Sequence, residues 1–234
     1  NLIWGRWQIN ATFYEVIMTP TPVRSMLYIP GGRESALRKA RQIPTDAIIF
    51  DLEDAVAVTE KEFARATLIK ELEEGSYGRR TKIVRVNSLD THWGRDDIAA
   101  VSSVTPDGIL LPKVDSASNI FELRAEMDKH VGLKETKIWS MMETPRGILN
   151  ASEIADSPDV VGMVMGTNDL GKELNVGLDP KRNSMSLSLG LCILAAKAAG
   201  VLIVDGVYNA FKDEKGLKND AIQGRDLGFD GKTL

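Results

Sequence analysis

Met142-Glu143-Thr144-Pro145-Arg146-Gly147 and Gly166-Thr167-Asn168-Asp169-Leu170 decide how this chain is read. Each follows an apolar run with the look of a buried strand, residues 137–142 and 159–165, and each carries one carboxylate. Glu143 and Asp169 stand 26 residues apart, about the length of one strand–helix–strand repeat. On neighbouring parallel strands, both carboxylates would emerge at the same end of the sheet.

Working outward, the same unit recurs along the chain. Apolar runs at 26–29, 47–50, 82–87, 108–111, 202–206 and 231–234 join the two already named. Charged, helix-like stretches separate them, at 34–42, 60–74, 96–102, 118–130, 148–155, 184–199 and 212–227. Near-continuous apolar strands alternating with helices indicate a parallel sheet buried on both faces. Eight such units predict an α/β fold, the (β/α)8 TIM barrel, with its eighth strand cut where the sequence stops at Leu234. No Gly-x-Gly-x-x-Gly turn follows any strand, which speaks against a dinucleotide-binding open sheet. Residues 23–234 are therefore expected to form a single barrel domain. Residues 1–22, crowded with Trp4, Trp7, Phe13 and Tyr14, are expected to be an N-terminal arm or an added segment, with Met18 as a candidate native start.

Composition excludes several classes. A net charge of −4 and a pI near 5.4 offer no basic surplus for nucleic acid. The longest apolar stretch, 187–204, is interrupted by Lys197 and Gly200 and reads as a buried helix and strand, not a membrane span. No secretory signal is seen at the N-terminus, so a cytoplasmic location is expected. The single cysteine, Cys192, reads as a small core residue. His92 and His130 have no nucleophile-elbow sequence to serve.

The ionisable residues gather where strands end. Asp51, Glu53 and Asp54 follow the second strand, Arg85 and Asn87 end the third, and Lys113 follows the fourth. Glu143, Asp169 and Asp205 follow the fifth, sixth and seventh. In a parallel barrel these ends share one rim, and barrel active sites sit there. Any one acid could be a helix cap or half of an ion pair. The whole set on one rim points to a site. Glu143 and Asp169 are hard oxygen donors suited to Mg²⁺, leaving positions for water and substrate. Asp51, Glu53 and Asp54 are expected behind them, bonding metal-bound water or holding Arg85. The planar fork of Arg85 suits a carboxylate or a developing enolate oxygen.

Seven motifs in order carry a resemblance: Arg24-Ser25-Met26-Leu27-Tyr28-Ile29-Pro30-Gly31, Phe50-Asp51-Leu52-Glu53-Asp54-Ala55-Val56, Arg85-Val86-Asn87, Leu111-Pro112-Lys113, Glu143-Thr144-Pro145-Arg146-Gly147, Gly166-Thr167-Asn168-Asp169-Leu170, and Gly228-Phe229-Asp230-Gly231-Lys232-Thr233-Leu234. The chain resembles the citrate lyase β-subunit-like enzymes, relatives of the malyl-CoA and citramalyl-CoA lyases within the HpcH/HpaI aldolase superfamily. The resemblance implies a Mg²⁺-dependent carbon–carbon lyase that splits a 3-hydroxyacyl-CoA thioester into an acyl-CoA and a 2-oxo acid. It implies Glu143 and Asp169 as metal ligands and Arg85 beside the substrate. It also implies Arg24 as the family's arginine near the CoA pocket, and a homo-oligomer, trimer or hexamer. Two alternatives accompany the lyase: a malyl-CoA thioesterase, and a citrate lyase β subunit acting within a complex. The family's C-terminal extension, which covers a neighbouring subunit's site and brings a catalytic Asp, would lie beyond Leu234. A chain truly cut inside the eighth strand would be left with an unclosed barrel edge, which is unfavourable, so a further segment beyond Leu234 is expected.

Overall fold

The computed structural model describes residues 23–177, 179, 181–210 and 212–234; the N-terminal arm lies outside them. Eight parallel strands follow one another around a closed barrel. They are β1 (Ser25–Pro30), β2 (Ala47–Asp51), β3 (Thr81–Arg85), β4 (Gly108–Leu111), β5 (Lys137–Met142), β6 (Val160–Met165), β7 (Leu202–Asp205) and β8 (Gly231–Thr233). The helices between them are α1 (Glu34–Ala40), α2 (Lys61–Glu74), α3 (Gly94–Val101), α4 (Ala117–Met127), α5 (Pro145–Leu149), α6 (Ala151–Ala155), α7 (Thr167–Glu173), α8 (Ser186–Ala199) and α9 (Glu214–Leu227). The expected (β/α)8 barrel is thus the fold observed.

Two differences from the expected elements bear on the site. The stretch expected as one helix over 148–155 is two short helices meeting at Asn150. The Asp169 motif is itself a helix, α7, with Asp169 in its first turn. Its seven residues include Asn168 and Gly171, poor helix formers that hide it from a periodicity reading.

The residues up to Leu234 already close the barrel. β8 is short, yet it pairs with β7 on one side and β1 on the other. Lys232 donates its N–H to Arg24 O, Leu234 donates to Met26 O, and Tyr28 donates to Leu234 O. The last four residues therefore satisfy both flanking ladders, which removes the edge.

Strand alternation splits the core in two. Ile48, Phe50, Val84, Ile109, Ile138, Met163 and Ile203 pack outward against the helices. Met26, Ala47, Ile49, Ile83, Leu110, Trp139, Met141, Val164 and Val204 fill the barrel interior. Trp139 is the largest of these, and the neighbouring strands make room for it with glycine. A Cβ on Gly162 would lie 2.2 Å from Trp139 Cζ3, and one on Gly108 would lie 2.8 Å from its Cδ1. The interior is plugged there, so no channel runs through the barrel.

This packing predicts that Gly162→Ala destabilises the protein by about 1–3 kcal/mol, the range for forcing atoms into a filled core. Urea denaturation measures it. A midpoint equal to wild type would mean that the indole moves aside freely.

Candidate active site

Continuing the inward register one step past the interior core gives the site. Above Met26 comes Tyr28, above Ile49 comes Asp51, above Ile83 comes Arg85, and above Met141 comes Glu143. These four line a cavity of about 640 Å³ at the C-terminal ends of the strands, together with Gly166, Asp169, Lys172 and Asn209.

Asp51 and Arg85 are partners in register on β2 and β3. Arg85 Nε donates to Asp51 Oδ1 at 2.7 Å, and Nη2 donates to Oδ2 at 2.6 Å. Nη1 lies 3.1 Å from Glu53 and 3.7 Å from Asp54. The guanidinium also stacks over the Tyr28 ring, 5.1 Å from its centroid. Burial works against the Arg85 charge, but the Asp51 bonds and charge outweigh it and raise the pKa above its ordinary value. Asp51 is held in turn by the N–H groups of Glu53 and Ala55. Of the two roles expected for these acids, bonding metal-bound water or holding Arg85, the contacts seen are with Arg85.

Glu143 is fixed by what surrounds it in sequence. β5 ends at Met142, and Thr144 already caps α5, accepting the Gly147 N–H at 3.0 Å. Pro145 occupies the first helical turn, where its missing N–H costs nothing. One residue between a strand and a capped helix has little freedom. Glu143 is 2% exposed. Its Oε1 accepts the Lys113 N–H at 2.8 Å. Lys113 holds a left-handed backbone (φ 51°), uncommon for a residue with a side chain, and this conformation aims the amide inward. The Lys113 Nζ reaches Glu53 Oε1 at 2.8 Å. Oε2 of Glu143 lies against Gly166, where a Cβ would come within 2.5 Å of it. Gly166 is thus the gap that admits the carboxylate, and Asp169 follows it by one helical turn.

Burial above all raises the Glu143 pKa to about 7; the Lys113 amide and the Arg85 charge oppose this, while the charges of Glu53 and Asp169 add to it. A cation between Glu143 and Asp169 would relieve that strain. Among the described residues, no cluster of three or more His, Cys, Asp or Glu side chains could hold a metal ion. Two carboxylate donors with open positions fit Mg²⁺, which keeps several waters and binds through one or two carboxylates.

Two sequence expectations are corrected. Arg24 precedes β1 at the opposite end of the barrel from this cavity and is 79% exposed on its side chain. Its Nε and Nη2 both donate to Asp46, which precedes β2. It is a structural clasp at the barrel's lower face, and the structure does not bring it to the site. Asp205 ends β7 but faces the helix layer. There it accepts Arg182 Nη1 at 2.6 Å and Lys232 Nζ at 3.2 Å, and Asp220 of α9 completes the network. Cys192 is buried, which pushes its thiol up to about 12 and fits a core role.

Three site features escaped the sequence reading. Tyr28 was hidden in an apolar run, although alternation with Leu27 and Ile29 places it inward. Lys172 pairs with Asp169 at the i,i+3 spacing of a helix. Asn168 and Asn209 exchange amide hydrogen bonds across the cavity wall at 3.2 and 2.7 Å; no local signal marks that pair.

Together these define a (β/α)8-barrel protein with a buried arginine and two acids converging at the rim where barrel enzymes work. The chain belongs to the HpcH/HpaI aldolase/citrate lyase family, which it matches over residues 24–234. It is 57% identical over 213 residues to a (3S)-malyl-CoA thioesterase of Cereibacter sphaeroides, an alignment covering 91% of this chain and 73% of that protein. It is 34% identical to the citrate lyase subunit beta of Escherichia coli, covering 90% of this chain and 72% of that one. Among solved structures it resembles protein CitE of Mycobacterium tuberculosis in complex with magnesium, acetoacetate and coenzyme A. That likeness has a TM-score of 0.75 at 28% identity, and covers 90% of this chain and 75% of the other. Among the described residues, no helix is long and apolar enough to cross a membrane.

The raised Glu143 pKa makes a signed prediction. A carboxyl that titrates near 7 when folded and near 4.5 when unfolded costs the metal-free protein about 3 kcal/mol at high pH. The folded state binds the extra proton, so stability from this group is full below pH 4.5 and lost as pH rises towards 7. In EDTA, Glu143→Gln should melt above wild type at pH 8, and the gap should close towards pH 5. A gap that stays constant across that window in thermal melts would refute the assignment.

Proposed function

We propose that this chain hydrolyses (3S)-malyl-CoA, or a closely similar 3-hydroxyacyl-CoA thioester, with Mg²⁺ held by Glu143 and Asp169. The observation that carries the reading is the 57% identity to a (3S)-malyl-CoA thioesterase across 91% of the chain. That likeness favours the thioesterase alternative over the carbon–carbon lyase expected first. Magnesium and coenzyme A in the CitE complex support the cofactor and the substrate class.

When bound, Mg²⁺ would supply a Lewis acid and a template for substrate oxygens. The chain's own groups do the rest. Glu143 presents Oε2 beside Gly166, with Oε1 tied to the Lys113 amide. Arg85, held rigid by Asp51 and Glu53, faces the cavity as a fixed cation. Such a pre-oriented donor stabilises an oxygen that gains negative charge without moving to meet it. The interior plug beneath, from Met141 down to Trp139, closes the cavity floor to water. In hydrolysis the C–S bond breaks and a C–O bond forms. Water supplies the oxygen to the acyl carbon and one proton to the departing thiolate.

A second reading keeps the lyase. Family membership and the 34% identity to a citrate lyase subunit beta favour it, and the same arginine and acids would suit an enolate. Product analysis separates the two. With (3S)-malyl-CoA and MgCl₂, the proposed activity gives malate and free coenzyme A thiol. Acetyl-CoA and glyoxylate would identify the lyase instead, and no turnover of any hydroxyacyl-CoA would leave an assembly subunit.

Either chemistry makes Glu143→Gln and Asp169→Asn lose more than about 100-fold in kcat/KM, since even outer partners of metal ligands cost 10–100-fold. Circular dichroism should show both variants folded. Full activity in either one, with excess Mg²⁺, would sink the metal assignment.

A further inference from the structure

Asp169 already has a cation beside it. Lys172, one turn along α7, brings its Nζ to 2.5 Å from Asp169 Oδ1. The Lys172 side chain is 77% exposed, so the pair is open to solvent and exchanges readily. Among the described residues Glu143 has no such ion-pair partner: its bond at Oε1 comes from a neutral backbone amide. The oxygen that Lys172 occupies belongs to the carboxylate expected to complete a metal site with Glu143. Lys172 also stands at a boundary. It lines the main cavity and an adjoining one of about 610 Å³, whose wall includes Asn168, Asn175 and Asn209.

We propose that Lys172 is a stand-in cation, neutralising Asp169 while the metal position is empty and yielding Oδ1 when a divalent cation binds. The proposal rests on the metal reading above. It follows from charge balance at one carboxylate. A monovalent ammonium on a flexible stem is a weak competitor for a divalent ion that also engages Glu143. It holds Asp169 oriented in the empty site, and it lowers metal affinity by the strength of one exposed ion pair. Once displaced, the ammonium is left at the wall between the two cavities, free to meet an anionic group of an entering ligand.

Two measurements test this on the full chain. Calorimetric titration with MgCl₂ at fixed salt should show Lys172→Met binding about threefold tighter than wild type, the fold-change of an exposed ion pair, with Lys172→Arg close to wild type. Pulse acetylation with acetic anhydride, read by peptide mass spectrometry, should show labelling of Lys172 rising when MgCl₂ is present. Lys129 and Lys197, paired elsewhere with Glu126 and Asp230, should not change. If wild type binds Mg²⁺ but Lys172→Met has the same affinity and Lys172 labelling is flat, the stand-in role falls and the metal reading survives. If wild type shows no saturable Mg²⁺ binding, both fall together.

Discussion

A guanidinium cannot be buried at the mouth of a barrel without a carboxylate to meet it, and the site is built around that requirement. Arg85 is 8% exposed on its side chain, and Asp51 is 2% exposed. An unpaired charge in such a place would cost several kcal/mol. Because Asp51 and Arg85 are register partners on adjacent strands, the barrel itself sets their spacing. The pair then organises its surroundings. Asp51 draws the Glu53 and Ala55 amides around the end of β2, and the carbonyls of Leu52 and Glu53 hold Lys61 of α2. Glu53 bridges Arg85 to Lys113, and the Lys113 amide fixes Glu143. One buried pair is thus linked, bond by bond, to the acid on the far side of the cavity.

The barrel was legible because its strands are continuous apolar runs separated by charged helices. That same continuity concealed which way each side chain points. With both sheet faces buried, polar alternation disappears, so Tyr28 passed as core and Asp205 passed as a rim acid. Arg24 was misplaced for a related reason. A charge just before a strand belongs to the opposite face of the barrel from a charge just after one, and its motif neighbours gave no sense of that separation. Glu143, Arg85 and Asp51 reach the rim because they end or directly follow strands and continue the inward register. Lys172 and the Asn168–Asn209 pair depend on α7 and on a contact between distant loops, which local spacing does not encode.

The site divides its labour between rigid and adjustable parts. Glu143, Arg85 and Asp51 come from strand ends and are nearly inaccessible. Asp169, Lys172, Asn168 and Asn209 come from short helical or loop segments nearer to solvent. The first group can hold one geometry through a reaction. The second can rearrange as ligands enter, at the cost of only exposed ion pairs and amide contacts.

The brevity of β8 has a bearing on how the molecule comes into being. β1 finds its second neighbour only in residues 231–234, roughly 200 residues later in the chain. At about 5–20 residues per second on the ribosome, that wait lasts some tens of seconds. Until then β1 and β7 present open edges, and the interior lacks its last stave. The emergence of residues 231–234 is therefore also the step that converts a curled, sticky sheet into a sealed container.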